Sequence, residues 1–129
     1  MGQLQHRYRR GGSSFNTADE NTAFGAATLL FNTTGDDNTA VGTAALANNT
    51  TGEDNTAVGT AALQTTLPAA KNTAVGTEAL QFNTDGNPNT AVGYAALKNN
   101  LTAGGNTAVG YDALLFNGSV ANGFPLGWA

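Results

Sequence analysis

One tripeptide, Asn-Thr-Ala, recurs at Asn21, Asn38, Asn55, Asn72, Asn89 and Asn106, always 17 residues apart. Each copy is followed by Phe or Val and then Gly, at Phe24-Gly25, Val41-Gly42, Val58-Gly59, Val75-Gly76, Val92-Gly93 and Val109-Gly110. Four residues after each Gly comes Leu29, Leu46, Leu63, Leu80, Leu97 or Leu114. Six such repeats fill residues 21–122 without insertion, and residues 15–20 read as the tail of a preceding repeat, one residue short. A fixed period sets each residue type above its copy in the next coil, so the chain is expected to wind into a solenoid.

Within a coil, Asn-Thr-Ala-Val-Gly suits a short strand that pairs with the coils above and below at ~4.8 Å. The Gly then permits a sharp turn that a Cβ would obstruct. The next segment, such as Thr43-Ala44-Ala45-Leu46-Ala47, is a poor strand because Ala is depleted there. It reads better as one or two helical turns with Thr43 as N-cap, and a two-strand coil is the alternative. The expected class is therefore a mainly β repeat protein, a β-solenoid or β-roll. Each coil would hold one short strand plus a turn or short helical turn.

The expected core of one coil is thin: one Val, one Leu and about three Ala. Burying so little falls short of the entropy lost on ordering a coil. Thr and Val point to one side of the strand and Ala, with the flanking Asn and Gly, to the other. Both sets are uncharged in all six copies, and small except at Phe24. That uniformity is expected if a second chain covers the outer face, and small residues near a threefold axis favour a trimer, intertwined or side by side. The column Asn21, Asn38, Asn55, Asn72, Asn89 and Asn106 is read either as a stacked amide ladder or as a cap on the turn entering the strand. The Thr column beside it could form a hydroxyl ladder.

The Asn-Thr-Ala-Val-Gly-x-x-Ala-Leu pattern resembles the repeats of bacterial and phage fibre or adhesin-like proteins, which often precede an intramolecular chaperone of the endosialidase type. It is similar in style, with a longer period, to the β-roll heads of trimeric autotransporter adhesins. The resemblance covers about four fifths of the chain (residues 21–122 of 129). It implies a trimeric, elongated surface fibre used for attachment. The sequence departs from that pattern in ending at Phe124-Pro125-Leu126-Gly127-Trp128-Ala129, with neither the chaperone nor a membrane-anchoring barrel. A small assembly subunit is therefore expected rather than a long adhesin.

Three parts are expected: a basic arm and Gly/Ser joint at 1–14, the solenoid at 15–122 and an apolar tail at 123–129. In the arm, Leu4, His6 and Tyr8 alternate with Gln5, Arg7 and Arg9, with Arg10 following, a period of two that fits an extended strand. Phe124, Leu126 and Trp128 alternate likewise. Head-to-tail assembly through Leu4, Arg7, Tyr8, Arg9, Arg10, Phe124, Leu126 and Trp128 is one expectation. An arm that anchors to a virion or folds back on its own chain is the other. The N-terminus lacks the apolar core of a signal peptide, so an extracellular, virion or cell-surface location would be reached by another route. No stretch approaches the ~18 apolar residues of a membrane span. With 9 acidic against 5 basic residues, nucleic acid is not an expected partner.

The residues for catalysis are missing from this reading. His6 is the single histidine, cysteine is absent, and Ser13, Ser14 and Ser119 lack a nucleophile-elbow setting. The glycines recur once per coil at a turn rather than as a phosphate-binding cluster. No cofactor is expected. Glu20, Asp37 and Asp54 form one acidic column and Asp19, Asp36 and Glu53 another. Both read as a solvated edge, with Lys71 as partner for Asp54, and as a weak candidate for Ca²⁺. Asn-x-Ser/Thr sequons such as Asn32-Thr33-Thr34 read as turn chemistry.

A non-enzymatic fibre subunit is the leading expectation, with itself as partner. The alternative is a module binding a host receptor or glycan, for which Tyr94, Tyr111, Phe31, Phe82 and Phe116 are the residues that vary the repeat. An ice-binding solenoid is a remote alternative, because each strand offers one rank of Thr where two are wanted.

Overall fold

The structure is a computed structural model that describes residues 7–8 and 17–117, with only the backbone of the first pair. Seven strands run in parallel in one sheet, in sequence order: β1 (Arg7–Tyr8), β2 (Thr22–Phe24), β3 (Thr39–Val41), β4 (Thr56–Val58), β5 (Thr73–Val75), β6 (Thr90–Val92) and β7 (Thr107–Val109). From β2 onward each residue pairs with its own copy, as Thr39 with Thr56, Ala40 with Ala57 and Val41 with Val58. The chain is a β-solenoid whose 17-residue sequence period is its coil.

The arm joins this stack. Arg7 pairs with Ala23 and Tyr8 with Phe24, in parallel. These two residues therefore fold back as a first rung of their own sheet and cover the edge of β2. Leu4, Arg9, Arg10, Phe124, Leu126 and Trp128 lie outside the described residues.

No residue of the second arm is helical; it is a run of turns. The amide of Ala45 donates to the carbonyl of Gly42, Ala47 to Ala44 and Asn49 to Leu46, three turns stepping along the chain two residues at a time. The third residue of the first two, Ala44 (φ 57°) and Leu46 (φ 50°), is left-handed, as a type II turn demands. The amides between point along the stack: Ala44 donates to Ala26 of the coil before, Leu46 to Ala62 and Asn48 to Gln64 of the coil after. Helices about 10 Å across stack on strands ~4.8 Å apart only if the coils fan apart, and a helix spends its amides within itself, whereas these amides bond to the neighbouring coils. The N-cap role expected of Thr43 disappears with it.

The interior is narrow. Ala40, Ala57, Ala74, Ala91 and Ala108 face it from the strands, and Ala45-Leu46, Ala62-Leu63, Ala79-Leu80 and Ala96-Leu97 from the turns, all fully buried. Val is not part of it. Val58 and Val75 are 37% exposed and Val109 is 43% exposed, because Thr and Val flank the inward Ala and point out. The core is thus thinner than the sequence implies, and asparagine makes up the difference.

Candidate assembly surface

Two columns of buried Asn line the interior. In the first, the Asn21 side-chain oxygen accepts from the backbone amide of Asn38 at 2.9 Å, and Asn38 does the same for Asn55 at 3.0 Å. The pattern continues through Asn72, Asn89 and Asn106. The Asn38 amide also donates to the carbonyls of Asp36 and Gly52 at 3.0 and 2.8 Å. One side chain therefore serves both as ladder and as turn cap.

The second column is Asn32, Asn49, Asn83, Asn100 and Asn117, of which sequence reading assigned Asn32, Asn49, Asn100 and Asn117 to turn chemistry. Its signal was the same 17-residue recurrence. Asn49 donates to Asn32 at 2.8 Å, Asn100 to Asn83 at 2.7 Å and Asn117 to Asn100 at 2.9 Å. The two columns meet on one carbonyl: Gly52 receives Asn38 at 2.8 Å and Asn49 at 3.0 Å, which ties the start of the strand to the end of the turn run. Buried polar groups so paired hold register, since a slipped coil would leave amides unsatisfied.

Outside, the second, fourth and sixth positions of each coil form three ranks. The first holds Thr22, Thr39, Thr56, Thr73, Thr90 and Thr107; the second, Phe24 and five Val; the third, Ala26, Thr43, Thr60, Thr77, Tyr94 and Tyr111. None is charged. The strand threonines form no hydroxyl ladder: among the described residues their hydroxyls bond to no protein group. In the third rank Tyr94 and Tyr111 stack, with ring centroids 5.1 Å apart and planes 15° from parallel. They remain 44% and 65% exposed. Phe31, Phe82 and Phe116 stand exposed on another column, with a polar residue in each intervening coil.

Charge is confined to other positions. The acids Asp19, Glu20, Asp37, Glu53 and Asp54 are exposed and Asp36 is half-buried. They do not converge: among the described residues no group of three His, Cys, Asp or Glu is placed to hold a metal ion. The Asp36 carboxylate instead accepts from the Asp19 amide at 2.7 Å, pegging one turn to the next, and Asn87 accepts likewise from Ala70. Lys71 does not pair with Asp54. Among the described residues the ion pair formed is Lys98–Glu78 at 2.8 Å. Its hydrogen bond, reinforced by the Glu78 charge, holds the Lys98 ammonium above its ordinary pKa. No helix among the described residues is long and apolar enough to cross a membrane.

No family model, curated protein or solved structure matches the chain. Its functional reading rests on its own geometry.

Proposed function

We propose that the chain is a non-enzymatic structural subunit of an extracellular or virion-associated fibre, which assembles with copies of itself, as a trimer, as a head-to-tail filament or as both. One observation carries this reading: the chain repeats one register through every coil. Its buried polar groups serve the stack, through two Asn columns and amides bonded from coil to coil. A catalytic site gathers unlike residues at one place; here like residues are spread along an axis. An uncharged outer face on an acidic chain completes the argument, since it is where like-charged copies approach at least cost.

Negative-stain microscopy with sedimentation of the purified chain tests it. Filaments or short multi-chain rods are the expected outcome, and a dilute, fully folded species of 13.0 kDa at every concentration would reject it.

The second reading is a receptor- or glycan-binding module, favoured by the exposed Tyr94–Tyr111 stack. Flat aromatic faces beside the Lys98–Glu78 pair provide a platform for a sugar ring. Loss of glycan binding in Tyr111→Ala, with the assembly state unchanged, would favour it.

A further inference from the structure

We infer that a second copy of this chain seats on the three-rank outer face, sheet against sheet and coil against coil. The inference rests on the self-assembly reading and names the surface that reading needs.

Four features of the face agree on this occupant. Between residues 17 and 117 the chain carries nine acids against two lysines, and none of these charges falls in the three ranks. Two copies meeting at the acidic columns would set like charges side by side; meeting here they do not. The strand side chains are β-branched except Phe24 and the inward Ala, so they are already fixed at χ1 and lose little freedom on contact. Half-exposed Val methyls supply the apolar area, and the free Thr hydroxyls can bond across the seam.

Period is the most selective feature. Each rank repeats at the strand spacing of ~4.8 Å, so a partner meets all of them only if it presents groups at the same interval. Another copy does so by identity.

Size sets the strength. Six coils at ~4.8 Å, with the ranks spread over five residues at ~3.3 Å, give a face of roughly 30 by 15 Å. That is well under the ~800 Å² per partner of a stable pair. Association through this face alone is therefore reversible on dilution, and it persists where a filament aligns many copies.

Sedimentation velocity of the full chain over a wide concentration range tests the inference on the wild type, Val58→Lys/Val75→Lys and the control Thr34→Lys/Thr102→Lys, whose sites are exposed in the turns outside the three ranks. The expected result is concentration-dependent association in wild type and control, weakened at least tenfold in the Val pair with circular dichroism unchanged. Because the chain has no cysteine, oxidation of Thr73→Cys gives a second readout that does not load the fold with charge. It should yield disulfide-linked dimers, whereas Thr102→Cys should not.

Wild-type association with the Val pair associating equally well, or with Thr73→Cys failing to cross-link preferentially, would overturn this surface and leave the fibre reading standing. A wild type that stays monomeric throughout overturns both. Ice-crystal shaping by such a monomer would assign the face to ice.

Discussion

Gly59 shows how tightly a single residue is held. Its φ of +137° is open to glycine alone, and a Cβ there would lie 2.5 Å from the carbonyl oxygen of Gly76 in the next coil. Both faults fall on backbone, which cannot swing aside. Gly59→Ala is therefore expected to cost about 3 kcal/mol or more, the range of severe single substitutions, read as a lower urea midpoint. Lys71 makes the contrast. It is exposed and left-handed at φ 60°, in the column where Gly105 stands at φ 74°. Lys71→Gly relieves a strained backbone at the cost of a looser unfolded chain, and these terms nearly cancel. Equal stability in both variants would show that the turn does not demand what its φ values imply.

At the scale of the element, the turn run is closed by the second Asn column, and that column has one break. Thr66 occupies it between Asn49 and Asn83 and bonds its hydroxyl to Leu63 at 3.0 Å. The buried Asn49 side-chain oxygen is left without a partner. Thr66→Asn would place an amide where Asn49 can be satisfied and where the Ala69 carbonyl can accept. The neighbouring Ala is no obstacle, since Asn100 already bonds to Ala103 in that arrangement at 2.8 Å. Repairing a buried unsatisfied acceptor is worth about 1–2 kcal/mol, so a rise of a few degrees in Tm is expected, and no rise would mean that water or local relaxation already serves Asn49. The same element marks the limit of sequence reading. The strands were legible because Thr-Ala-Val alternates and the 17-residue spacing fixes register. The turn run was not, because Ala and Leu favour helix locally and nothing in a five-residue window reveals that its amides bond to the neighbouring coils. Val was placed in the core by hydrophobicity alone, although alternation about the inward Ala puts it on the side of Thr. The ladder in the first Asn column was one of two readings left open. The second column went unseen, since Asn in a Gly-containing turn already has an explanation.

For the whole molecule, stability should be a sum over coils and the contacts between them, as in other solenoids. Each coil meets its neighbours alone, through an invariant register, so the length of the chain is negotiable in units of 17 residues and in no other unit. Removing residues 55–71 tests this. Asp54 would then lead into Asn72 as Asp37 leads into Asn38, and the Asn38 oxygen would meet the Asn72 amide. The excision also takes Thr66 away and brings Asn83 over Asn49, which closes the break in the second column. One interface is lost and one unsatisfied acceptor is cured, so a cooperative melt within a few degrees of the intact chain is expected by circular dichroism. Removing residues 55–62 instead brings Leu63 to the place of an Asn and puts every later side chain out of register, and that chain should not fold. If both deletions unfold the protein alike, its stability does not reside in coil-on-coil register; if both are tolerated, the Asn columns do not specify it.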